Sequence, residues 1–185
     1  AVASVACLDR GLAAPGRVAL VSGPELMRHS LATAIAAKEL AQRIDPERGC
    51  EIFMAGLLHD LGYLLLQRLA PGRRDPALLR LHGECAAQAF AEWNLPARLV
   101  AATRHHHDPV GAGAGDSWTA IVAAAESLAW QAGAGLAIEA ELALSADAAA
   151  VAWPLPGLDP DDPGVRGIVQ RLPEALAAVS GSLGA

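Results

Sequence analysis

The sequence has little positive charge and few cysteines, and each of these two shortages argues against a class of function. Lysine occurs once among the 185 residues, at Lys38, and the formal net charge is −6. Such a chain offers no basic surface for nucleic-acid phosphates, so we predict no nucleic-acid partner. The three cysteines (Cys7, Cys50 and Cys85) are far apart and form no CxxC pair. This spacing predicts neither a disulfide framework nor a thiolate zinc site.

The chain also lacks an unbroken apolar run long enough to span a membrane. The longest strongly apolar stretch, 52–66, is interrupted by His59 and Asp60 and is shorter than the roughly 20 residues that a bilayer requires. No basic segment followed by an apolar one opens the sequence, as in a secretory signal peptide. With 53% hydrophobic and 18% charged residues, the composition is that of a folded domain. We therefore expect a cytoplasmic protein without membrane contact.

Helix boundary signals are frequent, and no segment alternates apolar and polar residues long enough to predict a strand. Ser22 to Glu25 has the spacing of a capping box, while Asp45-Pro46 and Asp75-Pro76 each look like an N-cap followed by proline. Helices are predicted at about 26–44, 46–69, 76–93, 96–107, 116–132 and 164–179, with a flexible loop at 111–115. The predicted fold class is therefore all-α, a single compact helical bundle.

Histidines and acids on apolar helix faces are the main functional signal. His29 follows Leu26 by three residues and precedes Thr33 by four, and Leu40 lies two turns further on the same helix face. We expect this face to be buried, with Glu25 one turn before His29. The doublet His59-Asp60 lies within FMAGLLHDLGYLLL, which is apolar nearly all round. Burying an ionised aspartate there is costly unless a cation or hydrogen-bond donors compensate it. The pattern continues at His82, at His106 within the run HHHD, and at Glu126 within an apolar segment.

Each of these residues taken alone has an ordinary explanation. A histidine on an apolar face is usually hydrogen-bonded to backbone, the HHHD run could end a helix where imidazoles suit the dipole, and Glu126 could pair with an arginine. Four separate helices would need such explanations at once, which favours a shared metal site. Mixed imidazole and carboxylate ligands suit Fe, Mn, Ni, Co or Zn, as one or two ions, better than Ca or Mg.

Four stretches in this order resemble the HDOD family of bacterial signalling domains: LMRHSLATAIAAKELA, AGLLHDLGYLLL, LHGECAAQAFAEWNLPARLVAATRHHHDP and AIVAAAESLA. The family lies within the HD superfamily, and the resemblance covers about residues 24–132. It implies an HD-domain-like helical bundle, and in active superfamily members the corresponding residues bind metal for phosphoester hydrolysis. Carried over position by position, it implies the metal ligands Glu25, His29, His59, Asp60, His82, His106, His107 and Glu126.

The sequence departs from the hydrolytic relatives at three places. Glu126 stands where the superfamily has a final aspartate, and Tyr63 stands where HD hydrolases often have lysine. The GYP element of the cyclic di-GMP phosphodiesterases is absent, with PVGAGAGD in its place. The lysine could have held a substrate phosphate, so its loss and the missing GYP element argue against cyclic di-GMP hydrolysis in particular.

Three functional interpretations therefore stay open. The first is a signal-transduction domain with a metal-binding core, whose partners would be other signalling domains or proteins and possible nucleotide or cyclic dinucleotide ligands. The second is an active metal-dependent phosphohydrolase or phosphodiesterase acting on a nucleotide or cyclic dinucleotide, with Asp60 and His82 as candidate catalytic residues. The third is a helical scaffold without a cofactor.

The resemblance also divides the chain. Residues 1–22 are interpreted as the tail of a preceding helical region or as a divergent N-terminal segment, residues 23–132 as the HD/HDOD-like helical core, and residues 133–185 as a helical C-terminal extension. The extension has no counterpart in the resemblance, so no site residue is predicted there.

Overall fold

The computed structural model describes residues 19–109, 117–141 and 153–183. Within these ranges the secondary structure is helical and contains no strand, which confirms the all-α prediction. The elements are α1 (Gly23–Ile44), a short 3₁₀ helix (Pro46–Arg48), α2 (Gly49–Leu58), α3 (Leu61–Leu69), α4 (Pro76–Leu79), α5 (His82–Glu92), α6 (Ala97–His105), α7 (Ser117–Gln131), α8 (Ala137–Glu141) and α9 (Pro163–Leu183).

Two predicted helices are each divided in the structure. The helix predicted at 46–69 consists of the 3₁₀ turn, α2 and α3, with a break at His59-Asp60, and that predicted at 76–93 is divided into α4 and α5 just before His82. In an unbroken helix neighbouring side chains point about 100° apart. The break, where Asp60 has φ −101° and ψ 9°, allows the side chains of His59 and Asp60 to meet.

All three predicted N-cap residues precede a helix, and two of them make the expected side-chain hydrogen bond. Ser22 Oγ accepts a hydrogen bond from the Glu25 backbone N–H at 3.2 Å, and Asp75 Oδ1 accepts one from the Ala77 backbone N–H at 3.0 Å. Asp45 occupies the N-cap position of the 3₁₀ helix that begins at Pro46, but its side chain makes no capping bond. Its backbone N–H donates to the Ala41 carbonyl, so the same residue also ends α1. The loop predicted at 111–115 lies outside the described residues.

The main core forms around α1, which packs against α2, α7 and α9. Alanines without exposed surface (Ala32, Ala36, Ala37 and Ala41) line α1 and let its neighbours approach closely. The C-terminal helix α9 adds Val165, Ile168, Leu172 and Leu176 to the same core. The described helix α9 of the predicted C-terminal extension is thus packed onto the same core as α1.

One stretch of the described chain, Pro46–Leu69, passes a membrane-span test on length and composition, with a mean hydropathy of 1.3. However, 61% of the 18-residue apolar window within this stretch is buried inside the protein. The stretch is also the one that breaks at Asp60 to form α2 and α3. Its apolar character is therefore explained by its place in the core.

Two glycines allow the helices that carry histidines to approach closely. A Cβ atom at Gly62 on α3 would lie 1.8 Å from the His82 carbonyl oxygen, and one at Gly83 would lie 2.9 Å from the Thr103 carbonyl oxygen. The obstacles are backbone atoms, which cannot rotate away as a flexible side chain can. These contacts fix α5 against α3 on one side and against α6 on the other.

We therefore expect Gly62→Ala to lower the free energy of unfolding by at least about 1–3 kcal/mol, the usual cost of overpacking. Urea denaturation followed by circular dichroism measures the change. Gly49→Ala is the matched control because its nearest non-neighbouring atoms would lie 3.9 Å from the new methyl group. Equal stability of the two variants would contradict a tight contact at Gly62.

Candidate metal centre

Five of the six histidines and three buried carboxylates come together in one interior cluster. The groups whose ligand atoms lie within 4.8 Å of one another are Asp60–His82–His106–His107, His29–His59–Glu126, His29–Asp60–Glu139 and His107–Glu126–Glu139. The side chains come from α1, the α2–α3 break, α5, the end of α6, α7 and α8. The predicted convergence of distant chain segments is thus present in the structure.

Asp60 lies at the middle of the cluster and has no exposed surface. Its Oδ2 lies 3.3 Å from the Nε2 atoms of both His29 and His59. Its Oδ1 lies 3.3 Å from His82 Nε2 and 3.4 Å from His106 Nε2. Each oxygen of one carboxylate therefore faces its own pair of imidazoles, which is the arrangement needed to hold two cations side by side.

The other ring nitrogens determine which tautomer these imidazoles adopt. The Nδ1 atoms of His29, His59, His82 and His106 lie 2.7–2.9 Å from the backbone carbonyl oxygens of Ala134, Gly56, Leu79 and Thr103, respectively. A carbonyl oxygen only accepts, so Nδ1 carries the proton and donates. In the neutral ring, Nε2 then presents a free lone pair, and backbone bonds of this kind commonly orient metal-binding histidines.

Two contacts between imidazoles are difficult to explain without a cation. His29 Nε2 lies 3.3 Å from His59 Nε2, and His82 Nε2 lies 3.1 Å from His106 Nε2. With both Nδ1 atoms protonated, neither member of a neutral pair has a proton to share through Nε2. A metal ion bound by both lone pairs would remove this repulsion.

His107 and Glu126 form the edge of the cluster that is nearest to solvent. His107 Nδ1 lies 3.8 Å from Glu126 Oε1, and the His107 side chain is 21% exposed whereas that of Glu126 is 2% exposed. Both residues were predicted as ligands from the sequence. Glu126, in place of the superfamily's aspartate, still reaches the ligand atoms of His29 and His59.

Glu139 is the member of the cluster that the sequence reasoning missed. It lies on the short helix α8, has no exposed surface, and accepts a hydrogen bond from Trp130 Nε1 at 3.2 Å. Its Oε1 has no hydrogen-bond partner among the described residues. The only sequence signal was an acidic residue directly after Ile138, in a region without recognisable relatives.

Burial and mutual repulsion set the ionisation of the cluster. Burial, then the charge of Asp60, raises the pKa of Glu126 well above its ordinary value, and burial followed by Asp60 and Glu126 does the same for Glu139. Burial would also raise the pKa of Asp60, but the nearby His59, His106 and His29 keep it well below its usual range. An anionic Asp60 next to two further buried carboxylates is an environment that divalent cations stabilise.

Burial also favours the neutral form of the adjacent imidazoles of His106 and His107. It lowers the pKa of His106 to about 4, although the nearby Asp60 carboxylate opposes this. It lowers the pKa of His107 well below the ordinary value, with His106 and His82 adding to the effect. Neutral imidazole is the form that binds metal. The donor set therefore fits a divalent transition metal.

Glu25 is the predicted ligand that does not join these groups. Its Oε1 accepts a hydrogen bond from the Ala137 backbone N–H at 2.8 Å, at the beginning of α8. The capping box that contains Glu25 is therefore only half formed, because its carboxylate reaches a different helix. His105, the first histidine of the HHH run, is also absent from the groups.

Tyr63 is placed beside the cluster rather than in it. Its ring stacks on His82 with centroids 4.1 Å apart and an interplanar angle of 13°. Its hydroxyl is buried and has no hydrogen-bond partner among the described residues. The residue that replaces the lysine of HD hydrolases thus supports an imidazole by packing and contributes no positive charge.

The helical fold and the carboxylate-centred histidine cluster agree with the resemblance to HD-type domains. The HDOD domain family model matches residues 13–81 of the chain, which confirms the resemblance to that family. The match includes His29, His59 and Asp60 and ends just before His82. No curated protein and no solved structure is significantly similar to the chain.

Adjacent histidines provide a direct test of the cluster. We expect His106→Ala to weaken metal binding by at least about tenfold, since loss of even an outer-sphere partner costs that much. His105→Ala should leave metal binding unchanged, because His105 lies outside the groups. Titration of the metal-free proteins with Mn²⁺ or Zn²⁺ measures both. Equal weakening by the two substitutions would contradict the assignment.

Proposed function

We propose that this chain is a regulatory domain of bacterial signal transduction, acting in the cytoplasm, with two divalent transition-metal ions bound in its core. The single observation that carries the proposal is the position of Asp60 between two imidazole pairs, one pair at each carboxylate oxygen. The HDOD match to residues 13–81 supports the signalling context. Fe, Mn, Ni, Co and Zn all suit such ligands.

Two ions fit the ligand set better than one. The pair His82 and His106 with His107 faces Asp60 Oδ1, whereas the pair His29 and His59 faces Asp60 Oδ2. Glu126 and Glu139 provide carboxylate oxygens that balance further positive charge. A bridging carboxylate with separate imidazoles at each end is a common way to hold two metals close together.

Burial favours a regulatory centre over an open catalytic one. His29, His59 and Asp60 have no exposed surface, and His82 and His106 are 1% and 2% exposed. A substrate would have to reach the ions past these side chains, and Tyr63 offers no charge for a phosphate. The centre is thus well placed to stabilise the fold and to respond to metal.

Metal occupancy could be transmitted through the helices that supply the ligands. Because six separate chain elements meet at the cluster, gain or loss of the ions would change how firmly they are held together. A bound ion shifts a conformational equilibrium by its difference in affinity for the two states. The partners that respond to such a change would be other signalling domains or proteins. A nucleotide or cyclic dinucleotide is the expected small ligand.

The second candidate function is that of a metal-dependent phosphohydrolase. It is favoured by the nearly complete ligand set and by the partly exposed edge at His107. In that case Asp60 would hold both ions and His82 would hold one of them, oriented by Leu79 and by the Tyr63 ring. The ions, when bound, would act as Lewis acids toward a phosphoryl group.

Metal removal tests the main proposal. Protein purified without chelators should contain about two ions per chain, and EDTA should lower Tm by roughly 5–10 °C because the metal binds the folded state. Asp60→Asn should abolish this sensitivity, whereas Asp45→Asn should retain it. Elemental analysis and differential scanning fluorimetry measure these effects. A metal-free wild-type chain that takes up neither Mn²⁺ nor Fe²⁺ would overturn the proposal.

Hydrolysis assays separate the two functions. We expect Mn²⁺-loaded wild type to hydrolyse bis(p-nitrophenyl) phosphate and cyclic dinucleotides no faster than the Asp60→Asn protein prepared in parallel. The physical reason is that the ions are covered by the protein's own side chains. A faster rate that Asp45→Asn retains and Asp60→Asn loses would establish the phosphohydrolase instead.

A further inference from the structure

Residues 133–141, which we call the strap, are held against the cluster by α1. Arg28 Nη2 donates to the Gly133 carbonyl and His29 Nδ1 donates to the Ala134 carbonyl, both at 2.8 Å. Glu25 accepts from the Ala137 backbone N–H at 2.8 Å. Three side chains from the first turns of one helix therefore fix the path of the strap.

The far end of the strap is anchored as well. Arg74 Nη2 donates to Glu141 Oε2 at 2.9 Å, and Leu136 and Ile138 are buried in the same hydrophobic cluster as Tyr63 and Leu64 of α3. Glu139 lies between these anchors and is fully buried. The strap is thus positioned to carry one carboxylate into the interior.

Glu139 reaches both sides of the cluster. Its carboxylate belongs to a group with His29 and Asp60 and to another with His107 and Glu126, each with ligand atoms within 4.8 Å. Trp130 Nε1 satisfies one oxygen, while Oε1 has no hydrogen-bond partner among the described residues. A buried carboxyl oxygen without a hydrogen-bond partner, placed among metal-ligating side chains, is itself suited to bind a cation.

We infer that Glu139 is an internal ligand that occupies the coordination position where an external oxyanion would otherwise bind the metals. The inference rests on the proposed metal centre. A carboxylate and a phosphate present the same kind of hard anionic oxygen, so the strap competes with phosphate for the same ions. The ligand class excluded by the strap is therefore phosphate and phosphoryl groups with free anionic oxygens.

The remaining ligands hold the metals without Glu139. Asp60 with His82, His106 and His107 forms one group, and His29 with His59 and Glu126 forms another. Removing Glu139 should therefore leave both ions bound and free one position for an oxyanion. A competitor that fills the binding position for all but about a tenth of the time weakens apparent affinity about tenfold.

The experiment compares the affinity for inorganic phosphate of Mn²⁺-loaded wild type, Glu139→Ala and Glu139→Gln by isothermal titration calorimetry. We expect both variants to keep the wild-type metal content and to bind phosphate at least about tenfold more tightly. Glu139→Gln preserves side-chain size and an acceptor for Trp130, so it remains informative if Glu139→Ala folds poorly. Glu174→Ala is the matched control, since that residue is an exposed glutamate on α9 and belongs neither to the strap nor to the metal-ligating groups.

Two results would overturn the inference. One is unchanged phosphate affinity in a Glu139 variant that still holds the wild-type number of ions. The other is loss of an ion from both variants, because Glu139 would then be required to hold metal rather than to cover it. If wild type itself bound no metal, the proposed function would fail first, so the two failures are distinguishable.

Discussion

The structure depends on the placement of one buried carboxylate, Asp60, among four imidazole nitrogens. An ionised aspartate with no exposed surface is unfavourable unless positive charge or donors compensate it. Here the surrounding Nε2 atoms are turned toward it by bonds on the opposite side of each ring. The interior thus brings together side chains that could hold a metal ion, and such an ion would balance the buried charge.

The parts of this arrangement that were predictable are those encoded locally. The spacing of His29 on its helix face and the His59-Asp60 doublet in an apolar stretch indicated burial. The same pattern pointed to His82, His106 and Glu126, and the resemblance added His107. The helix break at Asp60 was not predictable, because its neighbours favour helix and its partners His29, His82 and His106 are distant in the sequence. Local preference was overridden there by packing around the carboxylate.

Long-range pairing explains the remaining differences. Glu25 has the position of a capping-box acid and of a family ligand, yet its carboxylate meets Ala137, 112 residues away. Glu139 lies on a five-residue helix, which is too short to be predicted from the periodicity of its apolar residues. Glu25 meets Ala137, and Glu139 groups with His29 and Asp60. These partners are distant in the sequence, so neither a local motif nor a helix pattern could predict the contacts.

The hydrogen bonds at Nδ1 have a consequence for how the centre assembles. His59, His82 and His106 each bond a carbonyl three residues earlier, so a single local turn orients each ring before any tertiary contact exists. His29 instead bonds Ala134, 105 residues away, and its orientation depends on the docking of a remote segment. The centre thus combines three imidazoles that are oriented locally with one whose orientation depends on a distant segment, which makes His29 the point where the position of residues 133–141 and the ligand geometry are coupled.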